Sequence, residues 1–232
     1  MSYSAAIDTS AQHAAFAVCH NETSEILIED HSAAIGRKSA GFLDVILSRL
    51  AEHGLELNEI KAWTVGMGPG SFTGIRLGAS LALGMAAGSD ARVRGIASSL
   101  IMARSAIAGL PDYSGLLHVL HDGRREEAIV SSYKAADGNV TSAENARVLN
   151  LKQLDELEGR FIILGTDRCL PDLPSTLSSR LVILPHVDPL EFLNDPDWPE
   201  DTVASLEPVY VRPAVFVPPR SYTAHPAVTK AL

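Results

Sequence analysis

Cysteine is scarce in this chain, with two among 232 residues. Neither Cys19 nor Cys169 stands near a second thiol or imidazole at the spacing a metal site needs. That excludes a disulfide framework and a thiolate metal centre, and both thiols are expected to be reduced small hydrophobes. Long apolar runs are also missing. No stretch reaches the roughly 18 uninterrupted apolar residues of a membrane span, and Met1-Ser2-Tyr3-Ser4 leads into a strand pattern without the basic segment of a secretory leader. The expectation is residence in the cytoplasm, off the membrane. Cations are outnumbered, 19 against 28 acidic residues for a net charge of −9, which opposes attraction to a polyanion. The short basic clusters Arg37-Lys38 and Arg124-Arg125 are not interleaved with aromatics, as a single-strand track would be. The isolated chain is therefore expected not to bind nucleic acid directly.

Catalytic signatures are thin as well. A nucleophile elbow, G-x-S-x-G, does not occur, because Gly70-Ser71-Phe72 lacks the second glycine. Of the histidines His13, His20, His31, His53, His118, His121, His186 and His225, only His118 and His121 are close in sequence, and in a strand that spacing points them to opposite faces.

What is present is a hydrophobic content of 46%, enough to bury a core in one large domain or two small lobes. The first half reads as strands at Ser4–Ile7, Ala14–Val18 and Ile26–Glu29, a helix at Ser39–His53, a strand at Ala62–Val65, a glycine turn, a helical run at Leu77–Ala87 and a strand at Val93–Ile96. The second half starts over with strands at Leu116–Leu120, Ala128–Tyr133 and Ala146–Leu149, a helical Leu151–Glu158 and a strand at Phe161–Leu164. This α/β pattern of two βββαβα runs predicts an N-terminal lobe over residues 1–103, a smaller C-terminal lobe over 104–212, and an extended or disordered tail over 213–232 that carries Pro213, Pro218, Pro219 and Pro226.

Two helices stand out. In Ser39–His53, Phe42, Leu43, Ile46, Leu47 and Leu50 recur at three- and four-residue spacing, and Gly54 supplies a stop. In the helix after the glycine turn, Gly74, Gly78, Ala82 and Ala86 form one stripe of small residues, with Ser80, Gly84 and Gly88 as a second. Glycine inside a helix costs about 1 kcal/mol relative to alanine, so something must approach the backbone closely. Packing on the chain's own sheet and docking of a partner helix both meet that requirement.

The turn itself, Gly66-Met67-Gly68-Pro69-Gly70-Ser71-Phe72-Thr73-Gly74, connects a strand to a helix, where unpaired N–H groups can hold an anion. It lacks the P-loop lysine, because Gly74 and Ile75 stand where G-x-x-x-x-G-K-[ST] needs it. Asp8-Thr9-Ser10, at the end of the first strand, fits either nucleotide contact or ordinary turn chemistry.

Read whole, the string from Gly66 to Gly78, with Ala6-Ile7-Asp8-Thr9-Ser10 before it and Gly95-Ile96-Ala97-Ser98-Ser99-Leu100 after it, resembles the TsaB (YeaZ) family. Asp122-Gly123-Arg124-Arg125-Glu126-Glu127 is similar to that family's D-A-R-x-x-E segment, and Glu207-Pro208-Val209-Tyr210-Val211-Arg212 to its E-P-x-Y-L-R signature. The region from Ala135 to Asp201 follows the family only in coarse pattern, and Lys38 stands about where the family usually has histidine. The resemblance implies an actin-like ATPase and sugar-kinase fold. It also implies a non-catalytic role as partner of the TsaD transferase in making threonylcarbamoyladenosine on tRNA, with a TsaE-type ATPase completing the assembly and a homodimer forming when the chain is alone.

By the same resemblance, Asp8, Thr9, Ser10, Gly68, Gly70 and Ser71 would be the nucleotide contacts, with no tightly bound cofactor and ATP or ADP at the partner interface. Phe42, Ile46, Leu50, Gly74, Gly78 and Ala82 would form that interface. TsaD carries metal-binding histidines spaced H-x-x-x-H after the fifth strand, and here those positions read Ser99 and Ala103, which implies neither a metal nor a catalytic residue in this chain. The rival expectation is an enzyme in its own right, an ATP-dependent carbamoyl or phosphoryl transferase or a peptidase. Arg76 with Asp122, Arg124 and Glu127 is expected to form a salt-bridged contact between the lobes.

Overall fold

A computed structural model describes residues 2–31, 41–195, 206–209 and 211. The chain runs β1 (Tyr3–Asp8), β2 (Ala15–His20), β3 (Ile26–Asp30), α1 (Phe42–Glu52), β4 (Ile60–Gly66), α2 (Phe72–Ala87), β5 (Arg92–Ile96) and α3 (Ser98–Ala108). It continues through β6 (Gly115–Arg124), β7 (Glu127–Ala136), β8 (Asn139–Asn150), β9 (Arg160–Leu164), β10 (Leu181–Leu184) and α4 (Pro189–Leu193). The strands make two five-stranded mixed sheets, ordered β3-β2-β1-β4-β5 and β10-β9-β6-β7-β8. In each, an antiparallel three-strand meander leads and two parallel strands follow, β4 and β5 beside β1, and β9 and β10 beside β6. The second order is the first repeated strand for strand, so the doubled pattern read from the sequence is real at the level of topology. Among the described residues no helix is long and apolar enough to cross a membrane.

The differences from expectation have local causes. Helix α2 begins at Phe72 rather than Leu77, because the Ser71 hydroxyl accepts from the Gly74 amide and caps the first turn. Over the described residues α1 begins at Phe42; Ser39 and Ala40, the loop with Arg37 and Lys38, and the tail 213–232 lie outside them. The helix expected at Leu151–Glu158 is a 3-10 turn over Leu151–Glu156, capped at Asn150. Helix α3, β10 and α4 were not legible, and α3 runs straight through residue 103, where the sequence drew its division.

Three apolar clusters hold these layers. One joins α1 and α2 to the first sheet around Phe16, Ile46 and Trp63. A second lies between the sheets, where Ile101 and Met102 of α3 and Phe192 of α4 meet Leu117, Val119 and Ile162. The third covers the far side of the second sheet with Leu154, Phe161 and Leu177. Although α4 follows the second sheet in sequence, it packs on β1, β2, β3 and β4. Buried Arg94 holds it there, donating to the backbone oxygens of Phe192 at 3.3 Å and Asp195 at 2.7 Å and to the Thr64 hydroxyl at 3.0 Å. The Asp195 carboxylate accepts from both Arg94 and Arg104, so both charges are paired where burial would otherwise penalise them.

Candidate functional site

The end of β1 shows why the glycines are where they are. Asp8 is fully buried; its Oδ1 accepts from the Ser10 amide at 2.8 Å and the Ser10 hydroxyl at 2.7 Å, and its Oδ2 from the Ser98 hydroxyl. Ser98 Oγ in turn accepts from the Gly68 amide at 3.0 Å, tying β1, the glycine turn and α3 into one corner. Burial raises the Asp8 pKa above the ordinary carboxylate value despite those bonds. A Cβ at Gly66 would sit 1.8 Å from the Asp8 carboxylate, and one at Gly74 1.8 Å from the Thr9 carbonyl oxygen. Gly68 adds a left-handed φ of +85°, which favours glycine for a second reason. The Thr9 hydroxyl donates to the Gly74 oxygen at 2.6 Å, and the Ser71 amide donates to the Ser10 oxygen at 2.7 Å. The β1–β2 corner is thus seated on the first turn of α2, and glycine is what lets it come that close.

This geometry divides the expected nucleotide contacts. All six residues, Asp8, Thr9, Ser10, Gly68, Gly70 and Ser71, meet at one corner. Asp8 and Thr9 are shut inside it, however, and their polar atoms are spent on the protein, while the amide of Gly68 is spent on Ser98. Ser10, Gly70 and Ser71 line a cavity of about 800 Å³ between the sheets. Its other wall is the tip of the β6–β7 hairpin, where Arg124, Arg125 and Glu126 all have positive φ, together with Thr166 to Arg168 after β9.

The six residues expected at a partner interface are core residues. Phe42, Ile46 and Leu50 are at most 4% exposed and Ala82 is fully buried, all packed between the helices and the first sheet, apart from the two glycines. A Cβ on Gly78 would lie 2.5 Å from the Thr9 hydroxyl, so the stripe of Gly74, Gly78 and Ala82 faces inward. The second stripe faces out: Ser80 is exposed, and Cβ atoms on Gly84 and Gly88 would meet nothing within 4 Å. Beside it Leu83 is 49% exposed, and Leu47 on α1 is 41% exposed. Periodicity finds two small faces on one helix, but it does not say which of them the sheet takes.

Ser99, at one of the histidine positions, shares a hydrogen bond of 2.7 Å with the Tyr133 hydroxyl, and Ala103, at the other, is buried between the sheets. Among the described residues no group of three or more His, Cys, Asp or Glu is placed to hold a metal ion. His118 and His121 point to opposite faces of β6, as their spacing requires. His118 bonds to Ser132 Oγ and the Glu158 oxygen, whereas the buried His121 has no partner at Nε2. Desolvation lowers the pKa of both. Arg76 lies 3.9 Å over the Phe72 ring, and the Asp122 carboxylate accepts from the Arg124 amide at 2.7 Å. Both cysteines are free, with their thiols pushed up by burial. The Val209 amide donates to the Met67 oxygen at 3.0 Å, bringing part of the Glu207–Arg212 signature against the glycine turn; Tyr210 and Arg212 lie outside the described residues.

Comparison with known proteins places this geometry. The family model described as "TsaD: tRNA N6-adenosine threonylcarbamoyltransferase" matches residues 11–163. The tRNA threonylcarbamoyladenosine biosynthesis protein TsaB of Escherichia coli is 27% identical over 227 residues, covering 89% of this chain and 93% of that protein. The protein of the same name from Haemophilus influenzae is 36% identical over 105 residues, 44% of this chain and 42% of that protein. Among solved structures, YeaZ from Pseudomonas aeruginosa superposes with a TM-score of 0.66 at 20% identity, over 83% of this chain and 89% of that one. A protein described as similar to peptidase YeaZ from Pseudomonas aeruginosa gives a TM-score of 0.64 at 22% identity, over 91% of this chain and all of that one. The two mixed sheets are thus those of the YeaZ structures, an actin-like fold, and with the family model spanning more than half its length this chain belongs to the threonylcarbamoyltransferase-type family, in its TsaB (YeaZ) branch.

Proposed function

We propose that this chain takes part in making threonylcarbamoyladenosine on tRNA as a non-catalytic docking partner of a TsaD-type transferase, and that the outward face of α1 and α2 is where the two meet. The observation that carries the reading is what these helices leave to solvent: Leu47 on α1, and Leu83 with the open backbone at Gly84 and Gly88 on α2, all outside the core that the same two helices close. Backbone without side chains lets a partner helix approach closely, and the two leucines supply apolar area that water now covers. The named activity of the relatives supports the pathway. The use of Ser99 and Ala103 as packing residues supports a silent role in it. A TsaE-type ATPase would join the assembly through TsaD or beside it, and a second copy of this chain would use the same face when no transferase is present. An ATP or ADP contact would rest on Ser10, Gly70 and Ser71, since Asp8 and Thr9 are enclosed.

The test is co-expression of the chain with a TsaD homologue, followed by measurement of the complex mass. Gly84→Leu and Leu83→Asp are expected to abolish association and leave the melting temperature of the chain within about a degree or two, because surface changes are usually worth less than about 0.5 kcal/mol. A complex that survives both substitutions would move the interface off this face. Full transferase activity by TsaD without the chain would remove the function itself.

A further inference from the structure

We propose that the cavity between the two sheets binds a small organic oxyanion, a phosphate monoester or a carboxylate with an apolar body. At about 800 Å³ the cavity is of the size that small-molecule sites occupy. Its walls differ in kind. On one side stands the N-terminus of the 16-residue α2, where the Ser71 cap takes the Gly74 amide and leaves the exposed Thr73 at the cavity wall. A helix start favours negative charge there. On the other side stand Arg124 and Arg168, both exposed and neither paired with an acidic side chain among the described residues. The acids beside them are held by the backbone instead: Asp122 accepts from the Arg124 amide at 2.7 Å, and Asp167 from the amides of Asp122 at 3.3 Å and Cys169 at 3.1 Å. Between the walls Ile129 and Leu164 make an apolar floor.

A second, independent observation lies in the lining itself. His121, in that lining, is 6% exposed and its Nε2 has no hydrogen-bond partner. Native proteins leave few buried polar groups unsatisfied, and one in the wall of a cavity is explained if an occupant completes it. The imidazole is held neutral by desolvation, so it is suited to a hydrogen bond with an uncharged part of the ligand, while the arginines and the helix start take the anion.

The experiment is titration of the full chain with phenyl phosphate and, separately, with benzoate, following heat and the His121 ring nitrogens by NMR. Saturable binding of one or both is expected with a dissociation constant at or below about 1 mM, accompanied by a shift of the His121 signals; the tighter of the two identifies the anion. The Arg124→Gln/Arg168→Gln double variant is expected to weaken it about tenfold or more and to flatten its salt dependence. His121→Phe is expected to weaken it similarly while raising the melting temperature, since an unsatisfied polar group is removed. Should that variant fail to fold, His121→Gln with reduced affinity gives the same answer. No saturation by either compound below about 10 mM, or equal binding by the double arginine variant, overturns the proposal. Neither result depends on a TsaD partner, so this site and the docking face stand or fall separately.

Discussion

Between β3 and β5 the chain crosses the first sheet through helices of 11 and 16 residues, whereas between β8 and β10 it crosses the second through 3-10 turns of 6, 3 and 6 residues. The strand order is the same. What differs is what lies on the sheet: α1 and α2 bring two long faces each, one spent on the core and one left to solvent, while the turns of the second half spend Leu151, Leu154 and Leu177 on the sheet and have little more to give. One topology thus yields a half that leaves long helical faces to solvent and a half covered by short turns.

The largest loss is expected at the link between the halves. Arg94→Leu is expected to cost about 3 kcal/mol or more in urea denaturation, because it strands the backbone oxygens that anchor α4 on the first sheet. A loss below about 1 kcal/mol would mean the two sheets hold together without that anchor.

Next in size is the inner stripe of α2. Gly78→Leu is expected to lose about 1 to 3 kcal/mol through overlap with Thr9 and Val65, while Gly84→Leu leaves the fold unchanged. Equal melting temperatures for the two would show that the stripes have been assigned to the wrong sides.

Acid should sharpen the contrast. His118 and His121 of the second sheet have folded pKa values below the ordinary 6.5, so the unfolded chain binds protons more readily. Their contribution is present above that value and is lost as pH falls below it. Asp8 has the opposite sign, its folded pKa lying above 3.8, so its contribution is present at low pH and is lost as pH rises through the folded value. Hydrogen exchange between pH 7 and 5 is therefore expected to loosen β6 and β7 before β1 and β4. Simultaneous loosening would show that the halves titrate as one unit.

Smallest is Ser71→Ala, which removes the α2 cap at a cost of about 1 kcal/mol. A thermal melt that does not move would leave the first turn of α2 held by the Thr9 and Ser10 contacts alone.

The sequence carried the fold further than the site. Most strands and the two amphipathic runs survive in the structure to within about five residues, because they report burial directly, but the strand expected at Ala146–Leu149 is the end of the longer β8 (Asn139–Asn150), in which Thr141–Asn145 are exposed and carry no apolar alternation. Helix α3 is not legible because it is buried on most sides, serines included (Ser98, Ser99, Ile101, Met102, Ala103, Ala106 and Ile107), so no exposed polar face marks its period. The second half's crossover read as helix through Leu151 and Leu154, a spacing that a 3-10 turn satisfies equally well. At the site, the motif leads to one corner of the fold, where Asp8 and Thr9 have the composition of a binding loop and the environment of a core. Only the distances from Gly66 and Gly74 separate the two.

The return of the chain from the second sheet to the first has a consequence for biosynthesis. Residue 67 leaves the ribosome long before its carbonyl meets the Val209 amide, and the face of the first sheet that α4 covers waits for residues 189–195. The half that is made first is therefore finished last. A nascent chain stalled before residue 189 would show the uncovered face to whatever binds apolar surface, and emergence of residues 189–195 is the event that covers it.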